Sequence, residues 1–403
     1  MKHRIQGGRS RNALSILLAL IAGGQVAGQC AESSSHILET FRKKFDFPAL
    51  AVVVVKDGKI YDRAAVGVRK LGDPTPVTTN DLFQINSCTK SMSATLAAIL
   101  IEEGKLRWDT TIAEVFPELK DTMHKQYAAV TMEQLLTHRG GFLTRPPTDA
   151  IKRAFETHRD IPQEFRPAVL ERFGTFDFHR EKTRRAPVEQ RKEFIKAVLA
   201  EAPEAAPGTR FVYSNQGYII AGAMLEKITG RAWEELMTEK IFRPLRMNTA
   251  GFGLPGTIGK VDQPWGHTTV HEKIRPVQYD NPPVTAPAGT VHCSLDDLAS
   301  FCIAHLQGEK TGGLVKPETF RKLHASVGGY ACGWICAHHD WAAGRTLHHG
   351  GGHLYRMNMW LAPEKDFCVV VVTNFDRPGE GSGKTGEQCD EVANALIKKW
   401  LTD

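Results

Sequence analysis

The chain has 403 residues, of which 42% are hydrophobic and 24% charged, as is ordinary for a globular protein. Its formal net charge of +6 is mild, and its basic residues are dispersed rather than gathered into a run of the kind that binds nucleic acid. The length allows two or three domains, but motifs spread through most of the chain favour one unit of two interleaved subdomains.

The first thirty residues have the pattern of a targeting segment. Four lysines and arginines precede an apolar core at residues 13–22, which is too short to span a membrane. The small residues Ala27 and Gly28 follow this core and are suited to cleavage after Gly28. We therefore predict a signal peptide over residues 1–28 and a secreted or periplasmic protein with no transmembrane span after its removal. Cys30 allows a lipoprotein interpretation, but Gln29 stands where a small residue is expected, so lipid anchoring is not favoured. A mitochondrial presequence would also be arginine-rich, but the uninterrupted apolar core argues against it.

Two β-rich runs, residues 49–56 and 60–68, are joined by Asp57-Gly58, and this pattern predicts an antiparallel hairpin. A mixed stretch then leads into an Ala- and Leu-rich helix that closes at Gly104.

Ser87-Cys88-Thr89-Lys90 lies where the mixed stretch gives way to that helix. Asn86 is a good N-cap candidate, so Ser87 is expected at the helix N-terminus, where the macrodipole favours negative charge on its oxygen. A serine and a lysine three residues apart share one helix face. An amine beside a hydroxyl is the minimum needed to activate a serine nucleophile without a histidine. Taken alone, a pattern of four residues is weak support for such a site.

Helical patterns predominate from about residue 88 to residue 285, for example over residues 216–229. Residues 145–200 carry many arginines and lysines, with acidic residues interspersed. We favour a solvated helical insertion over the site. The alternative is a lid that selects anionic substrates or contacts a polyanionic wall polymer.

The C-terminal third returns to β-rich runs, at residues 330–337, 345–349, 357–362 and 367–373, and ends with a helical pattern at residues 387–401. Strands at both chain ends with helices between them predict an α+β fold. One antiparallel sheet would be built from residues 36–80 and 290–402, and residues 88–285 would form a mostly helical subdomain.

Cys332 and Cys336 lie near two histidines, a combination that raises the question of a zinc site. Period-two spacing on the predicted strand 330–337 instead favours two buried cysteines on one face of that strand. We therefore expect neither a metal nor a cofactor.

Two further motifs follow Ser-x-x-Lys in the chain: Tyr213-Ser214-Asn215 after a Pro-Gly turn, and His349-Gly350-Gly351 before strand-like residues. In this order the three motifs resemble the serine β-lactamase and penicillin-binding-protein superfamily, in particular its class C-like branch of β-lactamases, D-stereospecific peptidases and carboxylesterases. The likeness continues at residues 135–142 and 287–291 and covers about residues 36–402. It implies a catalytic domain over those residues with the β-lactamase/DD-peptidase-like fold.

The resemblance implies that Ser87 attacks an acyl carbonyl and forms an acyl-enzyme that water later hydrolyses. Lysine and tyrosine have ordinary pKa values of about 10.4 and about 10, too high for a base at neutral pH. Lys90 and Tyr213 are therefore expected to share the proton, and which of them accepts it from Ser87 stays open. Asn215 is expected to hold Lys90 and to contact the substrate. The N–H groups of Ser87 and Gly352 are the implied oxyanion donors.

The third motif departs from the family pattern in a way that bears on the substrate. His349 replaces the lysine that helps class C β-lactamases to anchor the carboxylate of the drug. With an ordinary pKa near 6.5, His349 is expected to be mostly neutral at pH 7 and to gain charge toward about pH 5.5. Arg356 is a candidate substrate contact beside Gly351 and Gly352.

We therefore expect a carboxylesterase or D-amino-acid peptidase that acts on a small-molecule or peptide substrate, peptidoglycan-derived peptides included. A genuine β-lactamase or DD-carboxypeptidase is the alternative. A non-catalytic cell-wall-binding protein is the alternative from another class.

Two motifs near the C-terminus are predicted to be decoys. Lys384-Thr385-Gly386 spells a triplet that many β-lactamases use, but a glycine-rich loop precedes it and only a helix follows it. The run from Gly379 to Thr385 imitates a phosphate-binding loop, but Pro378 occupies the place of its first glycine. We therefore expect no nucleotide site.

Overall fold

The computed structural model describes residues 34–144, 186–377 and 381–401. The predicted signal peptide, Cys30 and most of the basic insertion predicted at 145–200 lie outside these ranges. Within them, the α-helices are α1 (Ser34–Phe45), α2 (Thr89–Glu102), α3 (Ile112–Val115), α4 (Met132–Leu136), α5 (Pro187–Ala200), α6 (Asn215–Thr229), α7 (Trp233–Met237), α8 (Ala286–Gly289), α9 (Leu295–Thr311), α10 (Pro317–Leu323) and α11 (Gly381–Leu401). Short 3-10 or π turns link several of these helices.

The strands of the described residues form a six-stranded sheet and two small ones. They are β1 (Ala49–Lys56), β2 (Lys59–Gly67), β3 (Phe83–Gln84), β4 (Gly251–Phe252), β5 (Gly266–Val270), β6 (Lys273–Val277), β7 (Val291–Cys293), β8 (Ile335–His339), β9 (Gly344–Gly352), β10 (Arg356–Ala362) and β11 (Phe367–Thr373). The large sheet is antiparallel, with the order β2-β1-β11-β10-β9-β8. The predicted α+β fold, with one sheet built from both chain ends, is therefore confirmed.

The N-terminal hairpin forms because its turn residues tolerate left-handed backbone. Asp57 and Gly58 have φ values of 52° and 67°, which match the type I′ turn that a two-residue hairpin needs. β1 then pairs with β11, from Leu50 opposite Thr373 to Lys56 opposite Phe367, and this pairing joins the two ends of the chain.

Both faces of the large sheet are covered, and for this reason β1 and β11 consist almost entirely of buried apolar residues. Alternate residues of β1 belong to two different cores. Val53 and Val55 face the core shared with α2 and α9, whereas Val52 and Val54 face the core under α1 and α11. The first of these cores carries the helical subdomain.

Helix α2 is the central helix of that subdomain, and every residue from Thr89 to Leu100 is buried. A helix that is surrounded by protein on all sides has little freedom to shift. Residues at its N-terminus are therefore held firmly against the sheet.

The strand predicted over residues 330–337 is shorter than expected, since β8 begins only at Ile335. Gly333 has a φ of 80° and packs against the backbone of Ser91, which bends the chain before the strand starts. Cys332 lies in that bend, so the expectation that it shares a strand face with Cys336 is wrong.

No helix among the described residues combines the length and the apolar character that crossing a membrane requires.

Candidate active site

Ser87 lies in a 3-10 turn, Asn86–Cys88, that runs directly into α2. Asn86 has a left-handed φ of 47°, a conformation that asparagine tolerates better than most residues. Its Nδ2 donates to the carbonyl of Tyr355 at 2.9 Å. The prediction that Asn86 caps the helix is therefore wrong: its side chain ties the turn to the sheet, and the turn and α2 have no side-chain N-cap.

The side chains of Ser87, Lys90 and Tyr213 meet at the Ser87 hydroxyl. Lys90 Nζ donates to Ser87 Oγ at 3.0 Å, and Tyr213 Oη donates to the same oxygen at 2.9 Å. Lys90 is fully buried, and its Nζ also donates to the carbonyl of Ala288 at 2.8 Å. One hydroxyl thus accepts hydrogen bonds from both groups that were predicted to share its proton.

Ala288 is a contact that the sequence analysis missed. It lies in the short helix α8, which is fastened to α2 because Ser93 Oγ donates to the carbonyl of Pro287 at 2.7 Å. The contact to Lys90 comes from the main chain. The residue type at position 288 therefore carries no signal for it, although residues 287–291 belong to the family likeness.

Tyr213 is positioned by His138, a residue that also received no role from the sequence. The two rings lie 4.4 Å apart between centroids. His138 Nδ1 accepts from the N–H of Ser214 at 3.2 Å, and its carbonyl accepts from the N–H of Val212 at 2.8 Å. Burial, and next the charge of Lys90, lower the pKa of His138 well below its ordinary value, so it packs against Tyr213 as a neutral ring.

Asn215 begins α6 and is exposed. Among the hydrogen bonds of the described residues, none joins Asn215 to Lys90, and the carbonyl of Ala288 takes that place. A contact between Asn215 and the substrate stays a prediction.

His349 lies on β9 with its ring buried on the side of the sheet that faces α2. Its Nδ1 is 3.0 Å from the carbonyl of Gly350, which can only accept, so Nδ1 carries the proton. Burial, and next the charge of Lys90, lower the pKa of His349 to about 3. The expectation of an ordinary pKa is therefore wrong, and the imidazole stays neutral at pH 5.5 as well as at pH 7.

Gly351 is the point where β9 touches the Ser87 turn. A Cβ atom at this position would lie within 3.0 Å of Ser87 N and 2.9 Å from Asn86 Cβ. Only glycine allows the strand to approach the nucleophile turn so closely.

Arg356 lies on the opposite face of the sheet from Ser87. On β10, Met357 faces the core that contains α2, so its neighbour Arg356 faces α11. Its guanidinium packs against Gly386 of α11. The Lys384-Thr385-Gly386 triplet lies in the first turns of the same helix, with Lys384 exposed and Thr385 buried.

Among the described residues, no group of three histidine, cysteine, aspartate or glutamate side chains is placed to hold a metal ion. The chemistry available at Ser87 is that of a hydroxyl, an amine, a phenol and backbone N–H groups.

The sequence model of the family described as "Beta-lactamase" matches residues 35–392. Among curated proteins, "Protein flp" of Staphylococcus aureus is 20% identical over 350 residues, which are 84% of this chain and 62% of that protein. The chain thus spans less than two thirds of the length of this relative.

Two solved structures share the fold. The octameric penicillin-binding protein homologue from Pyrococcus abyssi superposes with a TM-score of 0.68 at 23% identity, over 91% of this chain and 78% of that one. The D-stereospecific amidohydrolase from Streptomyces sp. superposes with a TM-score of 0.66 at 17% identity, over 92% of this chain and all of that one.

Proposed function

The chain belongs to the beta-lactamase family, and from this premise we propose that it is a serine hydrolase that cleaves ester or amide bonds through an acyl-enzyme on Ser87. The observation that carries the proposal is the shared hydroxyl. Ser87 Oγ lies 3.0 Å from the Lys90 amine and 2.9 Å from the Tyr213 phenol, within the range of a nucleophile and its base.

The proton moves between Ser87 and the Lys90–Tyr213 pair. Attack forms a bond from Ser87 Oγ to the acyl carbon, and the serine proton passes to the pair. The pair then protonates the leaving oxygen or nitrogen as its bond to the acyl carbon breaks. In the second half, water attacks the acyl-enzyme and gives its proton to the pair, and the proton returns to Ser87 Oγ as the acid leaves.

The oxyanion of each tetrahedral intermediate needs two preorganised N–H donors. We assign these to the backbone of Ser87 and Gly352. Two features support the assignment: β9 lies against Ser87 N at Gly351, and among the described strands β8 pairs with β9 only as far as His348. Within the described residues, no strand therefore pairs with that edge of β9 beyond His348.

For the substrate, we propose a small ester or a peptide with a D-residue rather than a β-lactam. A neutral, buried His349 offers no fixed positive charge for the carboxylate of a lactam drug. Arg356 faces α11 on the far side of the sheet. The structural likeness to a D-stereospecific amidohydrolase is compatible with this choice.

The experiment is intact-mass detection of an acyl-enzyme over a panel of p-nitrophenyl esters, nitrocefin and peptides that end in D-Ala-D-Ala. A fluorophosphonate probe should label wild-type protein and fail to label Ser87→Ala, whose kcat should fall by roughly a thousandfold or more. Ser300→Ala is the control, because that serine lies on α9 and its hydroxyl donates to the carbonyl of Asp296 in the same helix. Labelling of Ser87→Ala at another serine would refute the proposal. Faster acylation by nitrocefin than by any ester would favour a genuine β-lactamase.

We also propose that residues 1–28 are removed as a signal peptide and that the enzyme acts in the periplasm or outside the cell. The pattern of four basic residues followed by a short apolar core supports this. N-terminal sequencing of protein from the native host should begin at Gln29, and an intact Met1 would contradict it.

A further inference from the structure

The outer face of β9 is filled by two charged side chains at the position that carries the proposed oxyanion donor. A Cβ atom at Gly352 would lie within 3.0 Å of Asp376 Oδ2 and 2.6 Å from Arg356 Nη1. A carboxylate and a guanidinium thus lie side by side against the Cα of Gly352.

The same guanidinium contacts a second glycine, on α11. A Cβ atom at Gly386 would lie within 3.0 Å of Arg356 Nη2 and 2.9 Å from Arg356 Cζ. Asn358 Nδ2 donates to the carbonyl of Gly386 at 3.0 Å and so holds this part of α11 against β10. The glycine of the Lys-Thr-Gly triplet therefore makes room for an arginine.

The segment Gly350–Gly352 has no side chains with which to hold itself in place, and beyond His348 it pairs with β10 alone among the described strands. β10 holds one edge of the segment, and its position above or below the sheet plane depends on what packs on its two faces. On the inner face Gly351 rests on the backbone of Ser87, and on the outer face Gly352 rests on Arg356 and Asp376.

We propose that Arg356 and Asp376 are positioning residues for the oxyanion site, which act by holding Gly352 so that its N–H lies beside that of Ser87. The proposal rests on the proposed function, because it needs an oxyanion at Ser87. An oxyanion hole tolerates little displacement, since its donors must lie about 2.7–3.1 Å from the oxygen. Loss of the outer support should therefore weaken one donor while the Ser87–Lys90–Tyr213 contacts persist.

The test compares an ester with its thionoester, in which sulfur replaces the carbonyl oxygen. Sulfur accepts hydrogen bonds weakly, so a thionoester draws little benefit from an oxyanion hole. Arg356→Lys keeps the charge but loses the planar guanidinium, which contacts both Gly352 and Gly386. Gly386→Ala keeps both charged residues and displaces the guanidinium. Lys384→Ala is the matched control, because Lys384 is an exposed residue in the same part of α11.

Arg356→Lys and Gly386→Ala should each lower kcat/KM for the ester by about 10- to 100-fold, somewhat less than deletion of an oxyanion donor. They should lower the value for the thionoester by less than about threefold, and Lys384→Ala should keep both within about twofold. An equal loss on both substrates, or no loss, would overturn the inference. If Arg356→Lys fails to fold, the same ester and thionoester comparison on Gly386→Ala and Asp376→Asn tests the inference.

The failure of the proposed function would look different. Wild-type protein that is not labelled by the fluorophosphonate probe would overturn the serine-hydrolase proposal and this inference together. Normal labelling at Ser87, with an unchanged ester-to-thionoester ratio in the variants, would overturn this inference alone.

Discussion

Gly351→Ala should damage catalysis more than its one added methyl group suggests. The new Cβ would lie 2.9 Å from Asn86 Cβ, 3.1 Å from the carbonyl oxygen of Ile85 and closer still to Ser87 N. Ordinary van der Waals contact begins at 3.4 Å, so Asn86 Cβ has to move by about 0.5 Å and Ser87 N by more. These neighbours belong to the turn that carries the nucleophile, so relief requires that β9 and the turn separate.

A misplacement of about 1 Å at reacting groups costs on the order of 100-fold in rate. We therefore expect Gly351→Ala to lower kcat/KM for a p-nitrophenyl ester by roughly 10- to 100-fold and to slow fluorophosphonate labelling in parallel. Gly383→Ala is the control, because nothing lies within 4 Å of a Cβ at that position. Wild-type kcat/KM in Gly351→Ala, together with an unchanged melting temperature, would refute the close approach of β9 to Ser87.

Three further predictions concern charge and position. Because the pKa of His349 is lowered to about 3, the nitrocefin-to-ester ratio of kcat/KM should stay flat from pH 7 to pH 5, and a rise toward pH 5.5 would show that the ring titrates normally. His138→Ala removes the ring that packs against Tyr213 and the acceptor of the Ser214 N–H, so fluorophosphonate labelling should slow by about tenfold or more, whereas an unchanged rate would contradict its positioning role. The pKa of His267 is lowered to about 4 and that of His349 to about 3, so the unfolded chain binds protons first on acidification. Each of these two histidines should therefore lower the free energy of unfolding by about 1.4 kcal/mol per pH unit as the pH drops from about 6.5 to the folded pKa of that histidine. A urea unfolding midpoint that does not decrease when the pH is lowered from 7 to 5 would contradict this.

The frame of the fold was predictable because its signals are local. Strands β1 and β11 are buried on both faces, so their sequences are nearly continuous apolar runs with four consecutive valines each, and both were predicted with their observed bounds. The turn at Asp57-Gly58 carries its own conformational signature. The start of β8 was not predictable in this way. The apolar run that predicts a strand over residues 330–337 shows no break at Cys332. The bend that delays the start of β8 lies where Gly333 packs against Ser91, which is far away in the chain.

In the candidate site, too, the local features were predictable from the sequence and those that depend on distant contacts were not. Ser87 and Lys90 are three residues apart on one helical face, and sequence spacing alone brings them together. Tyr213 also reaches Ser87 Oγ, but its position depends on His138 and on a main-chain contact that residue types do not encode. The charge state of His349 was mispredicted because residue type sets only the reference pKa, whereas burial and the nearby Lys90 set the actual one.

Arg356 shows what decides between a substrate contact and a supporting role. Its place five residues after Gly351 puts it close to the third motif in sequence, and an exposed arginine there would be a natural anion contact. Alternate residues of β10 point to opposite faces of the sheet, and this rules out the substrate contact. Met357 and Met359 face the core with α2, so residues 356, 358 and 360 face α11. Asn358 and Trp360 both donate to Asp390 of α11 at 2.7 Å, which shows independently that this set of residues faces α11. A segment of three glycines has no side chains that fix its distance from a nucleophile, and the residues that support Gly352 lie on the face of the sheet opposite Ser87.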